Sequence, residues 1–421
     1  MTAFSLTETS GLFLTKFQAR SLNHYNSKAL LDGRIKKNYA FVGKQMNIET
    51  ELSFSGGVGA GILPVANTSL VEQCVITATK NYARTLVDRE SLKAASSSEG
   101  AFQKFMAYPV KKTVESFVRN SGRMMFGDAS GILGRGDGAT NVTGNGSVAT
   151  PYIVTLRESD FNVSNFEEQD FVQVVTGLGA SNNLGGTAEG GNNQTNLLLV
   201  QEVVPATRTI KLVGTSAILA ARVALPGALQ TTTGLCMQSS YLAEPQGLSG
   251  VTMATSGSLY GISVKRRWQS QQIDALGQGN VTDALNDAIL RQEKATGEAP
   301  KMVVMNYNQM RKILAQLEDQ KVYNLPNKNL KGAMSFAGVE IMTSRGAIGM
   351  FVDRFCPEDK IFLLNDDHIT RYHRPDFGWF DDDGTVFLRT KDEDSYEARY
   401  GGYYQNLIDP TFQTVIHNLS K

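Results

Sequence analysis

Few side chains in this sequence are of the types that do chemistry, and those few are widely spaced. The chain contains four histidines, His24, His368, His373 and His417. It also contains three cysteines, Cys74, Cys236 and Cys356. No histidine stands in a motif with serine or cysteine that is typical of nucleophilic catalysis, and no CxxC pair indicates a zinc site or a disulfide framework. The cysteine pattern therefore favours a reducing compartment such as a cytoplasm.

The strongest candidates for metal ligands are His368 and His373, because aspartates precede and follow them. Their spacing of five residues places the two side chains on neither one face of a helix nor one face of a strand. A metal site needs ligands that converge, so we interpret the pair as part of a surface strand beside acidic turns. The glycine runs Gly56–Gly61 and Gly131–Gly138 do not open a helix after a buried strand, as a nucleotide-binding loop would. The sequence thus predicts no metal site, no cofactor and no enzyme.

Charge and composition limit the classes of partner. The 41 lysines and arginines balance the 41 aspartates and glutamates, so the formal net charge is +0. A protein that holds nucleic acid through phosphates usually has a basic surplus, so the charge balance does not favour direct binding of DNA by the chain as a whole and leaves open only a local basic face. No apolar run reaches the about 20 residues that a membrane-spanning helix needs. A chain of 421 residues is expected to divide into two or three domains.

The most informative pattern lies between Gln45 and Ala83. Apolar and polar side chains alternate over Gln45–Phe54 and again over Glu72–Ala83, which predicts two strands, each with one buried face. A hairpin alone is marginal in water, and no nearby segment is dedicated to covering its apolar face. We therefore expect the following side chains to contact other subunits: Met46, Ile48, Leu52, Phe54, Ile76 and Tyr82. The flexible tip between the strands is expected to contain Gly56, Gly57, Gly59 and Gly61.

A long amphipathic helix is predicted over Glu99–Phe126, where large apolar residues recur at steps of three and four. Pro109 is expected to bend this helix, and Gly127–Gly138 to continue as irregular chain. The next region predicts a small β-barrel with strands at Tyr152–Leu156, Asp170–Thr176, Leu197–Val204 and Arg208–Val213. Its low-complexity loop, Gly177–Asn193, is expected to be mobile and exposed.

After residue 255 the pattern becomes α/β. Helices are predicted at Asp283–Lys294 and Gln309–Leu317. Strands are predicted at Met302–Met305, Val339–Met342, Met350–Val352 and Ile361–Leu364. A hairpin is predicted between Trp379-Phe380 and Val386–Leu388, around an acidic turn.

The order of these elements and three short segments resemble one known family. An arm, a long two-stranded loop, a long helix, a β-rich region and an α/β domain follow one another in the major capsid proteins of tailed bacteriophages. The segments LYGISVKRRWQSQ (259–271), PKMVVMNYNQMRKIL (300–314) and FAGVEIMTS (336–344) resemble the axial domain of those proteins. The resemblance implies an α+β chain with the Hong Kong phage-type capsid fold, which encapsulins share.

In that fold the arm and the hairpin loop reach a neighbouring subunit, and the long spine helix supports a peripheral domain. The resemblance implies the following division: an N-terminal arm at 1–40, an extended hairpin loop at 41–97, a spine helix and peripheral domain at 98–155 completed by about 385–410, an inserted β-rich domain at 156–238, and an axial α/β domain at 239–384 with 411–421.

The function implied by the resemblance is that of a major head protein that self-assembles into an icosahedral shell around the phage genome. The implied partners are many copies of the chain in pentamers and hexamers, a separate scaffolding protein and a portal, with no membrane. The implied location is the virion capsid, assembled in the host cytoplasm. Two alternatives remain: an encapsulin-like compartment shell, and a two-module hydrolase or carbohydrate-binding protein.

Overall fold

The structure is a computed structural model that describes most of the chain. The described residues are 31, 33–53, 61, 70–89, 99–179, 185–191, 196–224, 227–277, 280–318, 339–343, 346–374, 377–381, 386–390 and 394–420. Most of the predicted arm, the contact residue Phe54 and the tip glycines Gly56, Gly57 and Gly59 lie outside the described residues.

Strands outnumber helices in the described part of the chain. Its helices are α1 (Glu99–Phe126), α2 (Ala217–Ala224), α3 (Leu248–Thr252), α4 (Val281–Thr296) and α5 (Tyr307–Glu318). The strands of the first 240 residues are β1 (Lys36–Asn38), β2 (Gln45–Ser53), β3 (Leu70–Thr77), β4 (Thr79–Asp88), β5 (Ile132–Arg135), β6 (Tyr152–Thr155), β7 (Phe171–Thr176), β8 (Thr187–Ala188), β9 (Leu198–Val204), β10 (Thr209–Gly214) and β11 (Gly234–Met237). The later strands are β12 (Ser258–Leu259), β13 (Ile262–Ser263), β14 (Gln271–Asp274), β15 (Met302–Met305), β16 (Val339–Thr343), β17 (Gly346–Val352), β18 (Ile361–Leu364), β19 (Ile369–His373), β20 (Gly378–Trp379), β21 (Leu388–Arg389), β22 (Ser395–Ile408) and β23 (Thr414–His417).

The chain folds into two compact units. The first unit comprises Met1–Met125, Ser258–Ser263 and Asp366–Ile408, and the second comprises Phe126–Gly257, Val264–Asn365 and Asp409–Lys421. The segment from residue 366 belongs to the first unit because β19 and β20 both pair with β22.

The first unit is organised around β22. This long strand pairs with β19, β20, β21 and β4, and β1 extends the sheet beyond β19. One face of the sheet is covered by α1, which runs through Pro109 without interruption. The side chains that pack between α1 and this face are Val110, Val114, Phe117, Val118, Trp379, Val386, Ala398 and Tyr400. Burial of one apolar face against a helix explains why β22 is rich in aromatic residues.

Two predicted pairings in this unit are wrong. The strand predicted over Glu72–Ala83 is divided at Ala78, because β3 pairs with β2 whereas β4 pairs with β22. Trp379 and Leu388 do not form a hairpin with each other in the described residues, since β20 and β21 both pair with β22 instead. In both cases the local alternation identifies a strand, but a distant segment supplies its partner.

A β-barrel forms one half of the second unit. Its strands follow the order β5-β11-β7-β9-β10-β6, with β8 on β7. A bridge between Gly136 and Leu156 joins the last strand to the first, and the Arg157 N–H donates to the Arg135 carbonyl oxygen at 2.8 Å. The sheet is thereby closed, which confirms the small barrel that the sequence predicts. Its interior is filled by buried side chains that include Val154, Val174, Leu198, Val200, Ile210, Leu212 and Leu219.

The structure corrects two predictions about loops of the barrel. Gly127–Gly138 is not irregular throughout, because β5 lies within it and pairs with β11. One described part of the loop predicted to be mobile, residues 185–191, is fixed to the barrel. There, β8 pairs with β7, and the Glu189 carboxylate accepts hydrogen bonds from the Ala217 N–H at 2.6 Å and the Ser216 hydroxyl at 2.5 Å, at the start of α2.

The other half of the second unit is a mixed sheet with two helices. Its strands follow the order β14-β23-β18-β15-β17-β16. The core between this sheet and helices α4 and α5 contains Leu285, Ala288, Ile289, Val303, Met305, Met310, Ile313, Leu363 and Ile416. The predicted strands β15 and β18 are confirmed at both ends, and the two predicted helices are confirmed with slightly longer bounds.

Candidate assembly surface

The base of the β2–β3 hairpin is covered by its own chain. Cys74 and Ile76 are buried, and their cross-strand partners Ile48 and Met46 are half-buried. These four side chains lie on one face, because directly paired residues of an antiparallel ladder share a face. The sequence pattern predicts that the apolar face of the hairpin is uncovered. The structure shows instead that the base of this face is covered by the chain itself.

Tyr260 anchors this base to the central strand of the first unit. The Val75 N–H donates to the Tyr260 carbonyl oxygen at 2.8 Å. The Tyr260 hydroxyl donates to the Asn406 carbonyl oxygen at 2.8 Å, and the Gln405 side-chain amide donates to the Thr77 carbonyl oxygen at 3.2 Å. These bonds fix the direction in which the hairpin leaves the sheet.

The distal half of the hairpin is open. Leu70 and Val71 are 46% and 50% exposed, and Leu52 is half-buried. Gly61, the one tip glycine among the described residues, has a φ of +90°, and no atom lies within 4 Å of the position that a Cβ would take. A left-handed φ at an open position is the conformation for which glycine is suited.

The described residues of the hairpin strands are uniformly acidic in charge. Gln45–Ser53 and Leu70–Thr77 contain Glu49, Glu51 and Glu72 and no lysine or arginine. Glu49 and Glu51 are exposed and Glu72 is half-buried. The hairpin therefore presents negative charge beside exposed aliphatic side chains.

The second open surface is the face of the first unit's sheet that α1 does not cover. Along β4 the exposed residues are Lys80, Tyr82, Arg84, Leu86 and Asp88, and those between them are buried or half-buried. This alternation is what a strand with one covered and one open face requires. Tyr82 and Leu86 remain 47% and 45% exposed.

Three aromatic rings meet on this open face. The Tyr82 ring centroid lies 5.8 Å from that of Phe380 and 6.1 Å from that of Tyr403, and the two tyrosine hydroxyls are 3.2 Å apart. Gly401, paired with Tyr82 across the ladder, leaves room for the ring, since a Cβ there would stand 3.1 Å from it. Burial, and then the hydrogen bond to Tyr403, raise the pKa of Tyr82 to about 12. The cluster is therefore an uncharged, fixed aromatic surface at neutral pH.

A cluster of cations lies beside these rings. Arg84 and Arg399 are paired across the ladder and share one carboxylate, with Nε to Glu397 Oε1 distances of 3.7 Å and 2.5 Å. Lys80 is exposed on the same face. The net charge of these side chains is +1, since the three cations Lys80, Arg84 and Arg399 stand beside the two carboxylates of Glu397 and Asp88. The charge of this face is opposite in sign to that of the hairpin.

The predicted contact residues are thus divided between two surfaces. Met46, Ile48 and Leu52 lie on β2, half-buried, whereas Tyr82 lies on the sheet and not on the hairpin. Ile76 is buried in its own chain and cannot belong to an exposed face. Leu86, Tyr403 and Phe380 are not among the contact residues that the sequence predicts. Leu86 could have been found from the alternation of Lys80–Asp88, but the other two depend on pairing with distant strands.

Two of the side chains that were candidates for chemistry, His373 and Cys356, pack in the interior of the protein. His373 is buried, not on the surface as predicted, and its ring centroid lies 4.7 Å from that of Phe377 and 5.4 Å from that of Tyr39. In the part of the chain that the structure describes, no group of three or more His, Cys, Asp or Glu side chains is placed to hold a metal ion. Burial raises the pKa of the Cys356 thiol well above its usual range, which makes this thiol a poor nucleophile.

None of the helices in the described ranges is long and apolar enough to span a membrane.

Comparison with known proteins identifies the fold. No family model and no curated protein sequence matches the chain. Among solved structures, the capsid asymmetric unit of cyanophage A-1(L) matches with a TM-score of 0.53 and 11% identity, covering 94% of this chain and 93% of that one. The capsid of a native GTA particle matches with a TM-score of 0.45 and 10% identity, over 93% and 90% of the two chains. A virus-like particle from Pyrococcus furiosus matches with a TM-score of 0.44 and 10% identity, over 96% and 99%.

The match to the cyanophage capsid covers nearly the whole of both chains, so it concerns the complete architecture and not one module. It shows that this chain has the α+β fold of tailed-phage capsid proteins, as the sequence resemblance implies. At 11% identity the similarity is one of fold, and fold alone does not determine function. The function must be argued from the surfaces described above.

Proposed function

We propose that the chain is a major head protein, many copies of which assemble into a closed icosahedral shell around a phage genome. The observation that carries this proposal is the combination of a phage capsid fold over 94% of the chain with two open surfaces of opposite charge in the first unit. In this proposal the protein is structural and carries out no catalysis, and its location is the virion capsid, assembled in the host cytoplasm.

The contact that we propose joins the hairpin of one copy to the open sheet face of the next. Glu49 and Glu51 of the hairpin face Arg84 and Arg399 of the neighbour, and opposite charges favour the correct partner and orientation. The hairpin and the sheet face are different surfaces, so each contact is head-to-tail and can repeat around a ring. Pentamers and hexamers are the rings that close an icosahedral shell.

Apolar burial supplies the second part of this contact. Val71, which lies on the same face of the hairpin as Glu49 and Glu51, meets Tyr82 and Leu86 of the neighbouring sheet, and removal of apolar surface from water contributes about 25 cal/mol per Å². Tyr82 is already fixed by Phe380 and Tyr403, so its ordering costs little on assembly. Each contact can be weak, because a closed shell multiplies it.

Further parts of the proposal concern partners and movement. A separate scaffolding protein guides assembly, and a portal occupies one vertex. Expansion of the shell during genome packaging moves the glycine tip of the hairpin, at Gly61, and bends α1 at Pro109. The enclosed DNA is bound without recognition of its base sequence.

Electron microscopy of the expressed protein tests the proposal. The full chain, alone and with a scaffolding partner, is expected to form closed particles in negative stain, and a Tyr82→Ala/Leu86→Ala variant is expected to remain folded but not to form them. A Val148→Ala variant changes an exposed aliphatic side chain of the barrel and is the matched control, which should assemble normally. Monodisperse monomers from the unaltered chain under both conditions would overturn the proposal.

The contents of the particles separate a phage head from an encapsulin-like compartment. Particles isolated from cells that also contain packaging components should hold nuclease-resistant nucleic acid if the chain is a head protein. A shell that instead retains one protein cargo and no nucleic acid would favour the compartment.

A further inference from the structure

One stretch of the chain is basic although the chain as a whole is neutral. Residues 245–273 contain Lys265, Arg266 and Arg267 and no aspartate or glutamate. The local charge is therefore +3, whereas the 41 basic and 41 acidic residues of the whole chain cancel. Neither the capsid fold nor the hairpin contact requires three consecutive cations at this position.

The three cations occupy a turn that is fixed at both ends. The Trp268 N–H donates to the Lys265 carbonyl oxygen at 2.7 Å, and the Trp268 side chain is buried. The Thr411 hydroxyl donates to the Arg267 carbonyl oxygen at 2.9 Å. With the backbone held in this way, the side chains of Lys265, Arg266 and Arg267 are all exposed. The turn thus presents its charge on a rigid support.

A second turn adds hydroxyl groups beside the first. The Val264 N–H donates to the Gly257 carbonyl oxygen at 2.9 Å, which brings the residues before Gly257 next to the basic turn. Thr255 and Ser256 are exposed. Lysine, arginine, serine and threonine are the side chains that most often contact phosphate oxygens in nucleic-acid complexes.

The charge of this turn is not neutralised locally at two of its positions. Among the residues that the structure describes, no carboxylate lies within ion-pair distance of Lys265 or Arg266. Asp409, in the segment that supports the turn, accepts a hydrogen bond from the Thr411 N–H at 3.0 Å. The cations at 265 and 266 are therefore free to meet an external anion.

We propose that Lys265, Arg266 and Arg267 contact the phosphate backbone of the nucleic acid that the shell encloses. This inference rests on the proposed function, since it requires a shell with a genome inside. An enclosed nucleic acid fits better than an acidic protein segment because the described surface here is charged and hydroxylated, with Trp268 buried beneath it. Protein–protein interfaces are enriched in aromatic side chains at their centre, whereas the Trp268 side chain at this turn is buried. Each contact is weak and independent of base sequence, and repetition over the shell makes the sum significant.

Salt-dependent binding of a short fluorescent DNA duplex to the unassembled full-length chain tests this contact. Affinity is measured by anisotropy over a series of salt concentrations for the unaltered chain and for Lys265→Ala/Arg266→Ala. The slope of log affinity against log salt is expected to become shallower by about 1.8, because each lost phosphate contact removes about 0.9. At low salt the variant is expected to bind roughly tenfold more weakly or worse. The control, Lys111→Ala/Lys294→Ala, removes the same charge from two exposed helical lysines and should bind as the unaltered chain does.

Three results would overturn the proposal. They are a lack of salt-sensitive DNA binding by the unaltered chain, equal slopes for the two double variants, and loss of binding to poly-glutamate but not to DNA in the Lys265→Ala/Arg266→Ala variant. The last result would identify an acidic protein as the partner instead. Particle formation by the same variants is recorded separately in negative stain. Failure of the unaltered chain to form particles contradicts the proposed function, whereas normal particles with unchanged DNA affinity contradict only the phosphate contact.

Discussion

The barrel of the second unit is closed, whereas the sheet of the first unit has one face that is partly exposed. The barrel closes on itself through Gly136 and Leu156, and the outer face of β7 and β11 is further covered by a small cluster around Val175 and Cys236. The sheet around β22 has α1 on one face, whereas Tyr82 and Leu86 on the other face remain 47% and 45% exposed. Open strands and faces are a liability that proteins normally cover.

This difference is the basis of the proposed contact between copies of the chain. A closed barrel satisfies its own hydrogen bonds and buries its own apolar residues, so its stability is a property of the single chain. The open sheet face has exposed aromatic and aliphatic side chains, the distal hairpin has exposed aliphatic side chains, and the two surfaces have net charges of opposite sign. Substitutions in the barrel should therefore alter folding, and substitutions on the open surfaces should alter assembly.

The largest expected effect on stability is in the barrel core. Leu212→Ala removes a fully buried side chain and is expected to lower the free energy of unfolding by ~2–5 kcal/mol, through lost burial and a residual cavity. Leu86→Ala, the matched substitution on the open sheet face, should change it by no more than about 0.5 kcal/mol. Urea denaturation of both unassembled variants measures the contrast. Equal losses of unfolding free energy in the two variants would contradict the contrast between the barrel core and the open sheet face.

A smaller effect is expected where a loop holds the barrel's helix. Glu189→Ala removes the acceptor for the Ala217 N–H and the Ser216 hydroxyl at the start of α2. Loss of such a cap is expected to cost about 1–2 kcal/mol. Glu202→Ala, which removes an exposed partner of Lys211, is the control and should cost no more than ~1 kcal/mol. The denaturation midpoints of the two variants are compared. An unchanged midpoint for Glu189→Ala would mean that the loop does not stabilise the helix.

The smallest effect concerns the aromatic rings of the open face. Burial and the Tyr403 hydroxyl raise the pKa of Tyr82 from its ordinary value of 10.0 to about 12, so the folded state holds this proton more tightly than the unfolded state does. The resulting stabilisation is complete below pH 10 and is lost as the pH rises towards about 12. Tyr82→Phe should therefore lose stability less steeply above pH 10 than the unaltered chain does. Urea denaturation of the two chains at a series of pH values above 10 measures the slopes, and equal slopes would contradict the raised pKa of Tyr82.

Elements defined by continuous apolar runs could be predicted from the sequence alone. Met302–Met305 and Ile361–Leu364 are strands with the predicted bounds, because runs covered on both faces carry their own signal. Helix α4 was predicted from the same kind of local information, the spacing of its buried positions. The closed barrel could also be predicted, from four short β-rich runs separated by turn residues.

What could not be predicted is which strands pair. Alternation over Glu72–Ala83 gives no sign that the chain changes partner at Ala78, since β2 and β22 lie far apart in the sequence. Strand β11 is not predicted, because a run of four residues that begins with glycine is too short to show the alternation of apolar and polar side chains. For the same reason the candidate surface could be predicted only in part. The hairpin was visible as a local pattern, but the sheet face exists only once β22 brings Tyr403 and Arg399 beside β4.

Complementary charge reversal across the proposed contact tests the central claim most directly. Glu49→Lys/Glu51→Lys reverses the hairpin, and Lys80→Glu/Arg84→Glu reverses the exposed side of β4, with Arg399 still paired to Glu397. Particle yield is measured by light scattering for each pair and for the chain that carries all four substitutions. We expect each pair alone to remain folded and to lose particles, because like charges then oppose each other across the contact, and we expect the combined chain to recover them. Particles from either pair at the unaltered yield, or a combined chain no better than its parts, would contradict the assembly of copies through hairpin and sheet.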